Sequence, residues 1–203
     1  MKQKFVMMVC WICMIVMVAS CNDKQDKTNL LSNPDNPVVK METSYGDIFI
    51  ELFEDTAPVT VENFIEYVNA DFYDGTIFHR VINEFMIQGG GYTPGLQPKK
   101  VREPIKNEAD NGVSNKRGTI AMARSKNINS ATSQFFINVV DNSAMLDFKS
   151  PDPNLYGYAV FGDVIDGLDV IDAIKQAPTT TILPFKDVPK KDVMIKKVVV
   201  IKK

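Results

Sequence analysis

From residue 38 onward, apolar and polar positions alternate in short bursts broken by Gly and Pro. Asp47-Ile48-Phe49-Ile50-Glu51-Leu52-Phe53 alternates well, Val38-Val39-Lys40-Met41-Glu42-Thr43 more weakly, and Ser44-Tyr45-Gly46 supplies a turn between them. Successive strand residues face opposite sides, so the two runs predict a β-hairpin. The period then changes. Val61, Phe64, Ile65 and Val68 recur at helical spacing behind Asp55-Thr56-Ala57-Pro58, a start signal with Pro near the first helical position; a helix over about 58–70 follows. Leu168, Ile171 and Ile174 after Gly167 predict a second helix. Short β-like runs lie at 77–82, 85–88, 118–123, 134–139, 158–164 and 193–201, while 93–115 reads only as loop with an extended segment. Many short strands with two helices predict a mostly β fold, a closed or nearly closed antiparallel barrel.

The first twenty residues follow a different pattern. Lys2 and Lys4 precede an uncharged run over residues 5–19, which as a helix is roughly 22 Å long, short of the ~30 Å hydrocarbon core of a bilayer. It reads as the apolar region of a signal peptide, residues 1–20. The run ends in Val18-Ala19-Ser20-Cys21, which resembles the bacterial lipobox, whose cysteine receives lipid. The alternatives are an ordinary signal peptide followed by a chance Cys, and an uncleaved anchor. Residues 22–37 hold no aromatic and two large apolar side chains, so they bury too little to offset ordering entropy. Residues 21–37 are therefore expected to be a lipid-anchored flexible tether with a reach of about 22 Å, and 38–203 one domain. The expected location is a bacterial cell envelope, with the domain held at a membrane.

Composition narrows the chemistry by exclusion. All three cysteines, Cys10, Cys13 and Cys21, precede the domain, which excludes disulfides, cysteine nucleophiles and Cys-rich metal sites from its body. One histidine, His79, excludes multi-histidine metal sites. With 23 Lys and Arg against 25 Asp and Glu, the net charge of −2 argues against nucleic acid as a partner. Gly89-Gly90-Gly91 lacks the spacing of a dinucleotide fingerprint and reads as a strand end or bulge where backbones approach closely. No GxSxG occurs.

What remains is one dense stretch, Phe78-His79-Arg80-Val81-Ile82-Asn83-Glu84-Phe85-Met86-Ile87-Gln88, and its echo in Arg117-Gly118-Thr119-Ile120-Ala121-Met122-Ala123-Arg124 and Ser133-Gln134-Phe135-Phe136-Ile137-Asn138. Any one of Phe85, Met86 or Phe136 would pass for core. Arg80 would not, because an arginine within an apolar strand must face solvent, pair with a carboxylate or line a cleft.

The stretches FHRVINEFMIQGGG, KNEADNG, RGTIAMAR, SQFFINVVDN and YAVFGDVIDGLDVID resemble the cyclophilin-type peptidyl-prolyl cis–trans isomerases, above all the short bacterial members, in order from about Val38 to the C-terminus. The resemblance implies an eight-stranded antiparallel closed β-barrel capped by two α-helices, with its active site on the outer face. It implies that Arg80 is catalytic, that Gln88 orients it and the substrate backbone, and that His79 supports the site. Phe85, Met86, Phe136 and Leu146 match the walls of a proline pocket. Ala123 and Arg124 match the stretch that hydrogen-bonds the peptide, Tyr158 falls at the pocket rim and Gln134 in the groove. Such an enzyme uses no cofactor or metal. Its partners would be proline-containing polypeptides, with the membrane reached through the lipid on Cys21, and a monomer is the default. A non-catalytic module that binds proline segments through the same groove is the alternative, although binding alone would not require Arg80.

Overall fold

A computed structural model describes residues 31–203. The expected signal peptide, the lipidation site at Cys21 and residues 22–30 of the expected tether lie outside the described residues. The elements are β1 (Val38–Thr43), β2 (Asp47–Leu52), α1 (Pro58–Asn69), β3 (Thr76–Ile77), β4 (Arg80–Ile82), β5 (Met86–Gly89), β6 (Tyr92–Thr93) and β7 (Gln97–Pro98). Then come β8 (Thr119–Met122), β9 (Phe135–Asn138), α2 (Ser143–Leu146), β10 (Val160–Asp166), α3 (Leu168–Lys175), β11 (Thr179–Ile182), β12 (Phe185–Pro189) and β13 (Met194–Lys202).

Nine strands pair in one curled antiparallel sheet, ordered β3-β13-β1-β2-β10-β8-β9-β5-β4. The expected closed eight-stranded barrel is therefore corrected to an open sheet. Its edges, β3 and β4, are the two ends of one stretch, Thr76–Ile82, interrupted at Phe78 and His79. There the backbone leaves the ladder: the Phe78 N–H donates to the Val193 carbonyl at 2.9 Å, beyond the last β3–β13 pair. The sheet thus comes round to the same segment of chain and is joined there covalently rather than by strand pairing.

Helix α1 starts at Pro58, where the missing N–H costs nothing. Its N-cap is Ala57, with no side-chain cap. A distant residue takes that role instead, since the Glu108 carboxylate accepts from Val59 N (3.2 Å), Thr60 N (2.8 Å) and the Thr60 hydroxyl (2.6 Å). Phe64 and Tyr67 of α1 enter a core with Tyr73, Phe78, Phe135 and Phe161. Gly167 precedes α3 with φ of +93°, and a Cβ there would stand 2.5 Å from the Asp47 carbonyl, so no other residue fits. Two short hairpins, β6–β7 and β11–β12, and the single turn α2 were not anticipated from the pattern.

Residues 32–36, expected within the tether, lie on the domain. The buried Glu51 carboxylate accepts from Ser32 N (2.9 Å), the Ser32 hydroxyl (2.8 Å), Asn33 N (3.0 Å) and Asn36 Nδ2 (2.7 Å). Burial alone would raise the pKa of this acid, but these donors outweigh it and hold the pKa below its usual value.

Candidate active site

Three strands place the candidate residues by alternation. In β5, Ile87 points into the main core while Met86 points outward; in β8, Ile120 and Met122 go in and Ala121 out; in β9, Phe135 and Ile137 go in and Phe136 out. The outward set forms a second apolar cluster with Leu146 and Val160, flanked by Phe85, Ala123 and Tyr158. Over it lies a cleft of about 120 Å³ lined by Arg80, Phe85, Met86, Gln88, Ala123, Arg124, Phe136, Leu146 and Tyr158. Residues separated by up to 78 positions thus meet on one outer face. Tyr158 stands edge-on to Phe136, with ring centroids 5.6 Å apart.

Arg80 and Gln88 are direct register partners across β4 and β5. Gln88 Nε2 donates to Gln134 Oε1 at 2.9 Å, which fixes the amide and leaves its own carbonyl oxygen available. The Arg80 guanidinium is half-exposed, and its Nε stands 3.7 Å from Asp187 Oδ2 on β12. Arg124 is held by three carbonyls, donating from Nε to Gly157 (2.9 Å), from Nη1 to Ser125 (3.0 Å) and from Nη2 to Pro153 (3.2 Å), and it lies over the Tyr158 ring at 4.9 Å.

His79 and Gln134 are not in this cleft. They line a neighbouring cavity of about 390 Å³, which shares Arg80 and Gln88 with it and is closed by Tyr92 and the β11–β12 hairpin. His79 is buried and packs against Tyr92 at 4.7 Å, with no hydrogen-bond partner for Nδ1. Burial first, then the adjacent Arg80 charge, pushes its pKa down to about 4, so the ring is neutral at physiological pH. It underlies the site without offering a proton to it.

A bracing network was missed in the sequence. Asn138, buried on β9, donates to Asn115 Oδ1 (3.2 Å) and Thr119 Oγ1 (2.9 Å) and accepts from Asn142 Nδ2 at 2.7 Å. Asn142 Nδ2 also donates to the Phe85 carbonyl (2.8 Å), and Asn115 Nδ2 to the carbonyls of Leu146 and Tyr158 (both 3.3 Å). Three walls of the cleft are therefore tied by their backbones to one buried amide cluster. The available signal was Asn138 itself, a polar side chain at the end of an apolar strand, which must find partners when buried. Asp187 gave no such signal.

The triple glycine does sit where backbones approach. A Cβ on Gly90 (φ +80°) would lie 2.8 Å from the Ser133 carbonyl, and one on Gly91 would lie 2.6 Å from the Gln134 side chain.

A cleft of this volume accepts a small apolar ring, with a cation at one edge and amides beside it. Residues 38–200 match the family model for cyclophilin type peptidyl-prolyl cis-trans isomerase/CLD. The chain is 54% identical over 163 residues to peptidyl-prolyl cis-trans isomerase B of Escherichia coli K12, covering 80% of this chain and 99% of that protein. It is 55% identical over 157 residues to peptidyl-prolyl cis-trans isomerase cyp18 of Streptomyces antibioticus, covering 77% and 94%. Among solved structures it is similar to a Cryptosporidium parvum cyclophilin type peptidyl-prolyl cis-trans isomerase crystallised in the presence of the dipeptide Ala-Pro. The TM-score is 0.69 and the identity 28%, over 82% of this chain and 99% of that one.

Proposed function

The chain belongs to the cyclophilin-type peptidyl-prolyl cis–trans isomerase family, and we propose that it accelerates Xaa-Pro rotation with Arg80 stabilising the twisted prolyl nitrogen. The observation that carries this reading is the placement of a half-exposed guanidinium at the rim of a proline-sized apolar cleft.

The barrier to rotation, ~18–20 kcal/mol, comes from resonance that gives the C–N bond double-bond character. Twisting the bond breaks that resonance and returns a lone pair to nitrogen. A donor and positive charge at that atom stabilise the twisted state more than either planar isomer, which is what lowers a barrier. Phe85, Met86, Phe136 and Leu146 would grip the ring, while Gln88 and the 123–124 backbone would hold the flanking chain. No bond to the protein forms and no proton leaves. A 10⁵-fold acceleration would need about 7 kcal/mol, within reach of electrostatics and positioning together. His79 enters this scheme as packing beneath Arg80, and Gln134 as the partner that orients Gln88.

Arg80→Ala tests the reading. Turnover of an Ala-Pro peptide, read by exchange NMR, should fall about 10²- to 10³-fold, while peptide affinity and melting temperature change little. Turnover near wild type would overturn the mechanism, and a wild type that binds the peptide without turning it over would favour a binding module.

The second part of the proposal is location. Cleavage before Cys21 and lipidation there would place the domain on a membrane of the cell envelope, with polypeptides folding in that compartment as substrates. Because 32–36 lie on the domain, the free tether would shrink to about ten residues, roughly 17 Å of reach. Cys21→Ala should abolish lipid labelling and release or misprocess the protein. The sole tryptophan, Trp11, is a direct monitor, since a mature protein cleaved at this site has no tryptophan fluorescence. An unlipidated wild type that stays in the membrane fraction would instead mean an uncleaved anchor.

A further inference from the structure

A third cavity, of about 470 Å³, opens beside the proposed proline cleft and shares three of its walls, Arg124, Leu146 and Tyr158. It is several times larger than the cleft and has a different character. Its apolar surface includes Met145 and Leu155, which are 65% and 46% exposed. Its charged lining is Arg124, Lys126 and Lys149 against one carboxylate, Asp147.

None of the three cations is in an ion pair among the described residues. The Arg124 guanidinium spends its hydrogen bonds on neutral carbonyls, and Lys149 Nζ donates to the Ala144 carbonyl at 2.6 Å. Asp147 is ion-paired with none of them among the described residues; its Oδ1 accepts from the Asn115 N–H (2.7 Å) and Nδ2 (3.0 Å), and its single negative charge leaves the lining net positive. The cavity therefore carries an uncompensated positive charge on a chain whose net charge is −2. The wall that bears it is also rigidly built. Gly157, with φ of +76°, supplies the carbonyl that fixes Arg124, and a Cβ there would lie 2.6 Å from the Leu146 carbonyl and the Phe148 nitrogen.

We propose that this cavity is a specificity subsite for an acidic side chain, taking the carboxylate of an Asp or Glu within two residues of the substrate proline. The inference rests on the reading of the adjacent cleft as the proline pocket. Shared walls set the distance: each extended residue advances about 3.3–3.6 Å, so one or two residues carry a side chain from one cavity to the next. Met145 and Leu155 would cover the methylenes of a Glu, while the cations meet its carboxylate. Desolvation at a half-enclosed site strengthens that attraction over its value in bulk water.

The test is a peptide series in which Glu, Gln or Lys stands in turn at each of the two positions before and the two positions after the proline, with Ala at the others. Turnover is read by exchange NMR and binding by calorimetry. At one position, Glu should exceed Gln about five- to tenfold in kcat/KM at low salt, mainly through KM, and the ratio should fall below about twofold in 0.5 M NaCl. The double charge reversal Lys126→Glu with Lys149→Glu, both on exposed side chains, should turn the preference towards Lys, read as the ratio of Lys to Gln peptides within the same variant. Equal values for Glu and Gln at every position, or a preference that survives the reversal, would overturn the proposal. Failure of the proline pocket looks different: no peptide of the series would be turned over. Calorimetry would still report whether Glu is preferred.

Discussion

Phe135 and Phe136 are neighbours on one strand, both almost fully buried, yet they belong to different parts of the molecule. Phe135 points inward, where it meets Phe64, Tyr73 and Phe78 edge-on at centroid distances of 5.7, 5.6 and 6.0 Å. Phe136 points outward into the cluster of Met86, Ala121, Leu146 and Val160 and forms a wall of the cleft. The interior packs these rings among aliphatic side chains such as Ile48, Ile50 and Leu52. The outer cluster ends in open space, rimmed by Arg80, Gln88 and Arg124. The same kind of side chain packs the interior on one face and walls the cleft on the other, and the polar rim marks the difference.

The largest expected effects come from separating these two faces. Phe135→Ala should destabilise the domain by about 3–5 kcal/mol, since it removes the ring and leaves an internal void. Phe136→Ala should cost less, about 1.5–3 kcal/mol, because water fills the space and the cavity penalty is largely absent. Peptide binding should show the reverse order, with Phe136→Ala much the more damaging. Urea unfolding and peptide titration of both variants measure this. Equal stability losses would mean that the cleft is part of one continuous core.

Much of this division was legible in the sequence, and its limits have physical causes. Short β-like runs broken by Gly and turn residues placed β5, β8 and β9 within a residue or two. Arg80 stood out because a charged group in an apolar run needs a reason, whereas Gln88 was legible only through the family resemblance; the fold brings both to the cleft. The short hairpins escaped for want of any apolar run: β11 reads Thr-Thr-Thr-Ile and is almost wholly exposed. Closure of the barrel was overstated because a run such as 77–82 looks like one strand. Only the fold reveals that Phe78 and His79 leave the ladder and turn inward between its halves. Ser32, Asn33 and Asn36 looked like linker because small polar residues carry no burial signal. They are ordered by one distant carboxylate, that of Glu51.

His79 sharpens the comparison, because it is a polar ring buried in the wall of the cavity beside the cleft. Its folded pKa is about 4 and its unfolded value near 6.5. The unfolded chain therefore takes up a proton as pH falls through 6.5, and the folded protein resists until about pH 4. Stability should be lost across that window, on the order of 3 kcal/mol in all, and should not fall further from this group below it. Asp163 opposes the trend, since burial raises its pKa, so the comparison must be with a variant that shares it. His79→Phe should flatten the pH 4–6.5 slope relative to wild type in urea unfolding. An unchanged slope would mean that the imidazole is already protonated in the fold.

The smallest expected effect concerns how the rim is held. Asp187 Oδ2 meets the Nε edge of Arg80 at 3.7 Å, with side-chain exposures of 41% and 39%. At that exposure the pair contributes well under 1 kcal/mol to stability, so melting of Asp187→Asn should match wild type. The carboxylate touches one edge of the guanidinium only, which leaves the Nη groups for the cleft. It also links the site to the β11–β12 hairpin, which lines the neighbouring cavity. Two consequences of removing it oppose each other. The unshielded guanidinium becomes a stronger positive centre, but its side chain gains rotamers, and catalysis by position is sensitive to that freedom. Solvent already screens the charge, so loss of position should dominate, and kcat/KM should fall about two- to threefold, mostly in kcat. High salt should weaken the wild-type enzyme towards the variant while leaving the variant itself unaffected. A rate that rises in Asp187→Asn would reverse the assignment, making Asp187 a brake on Arg80 rather than its guide.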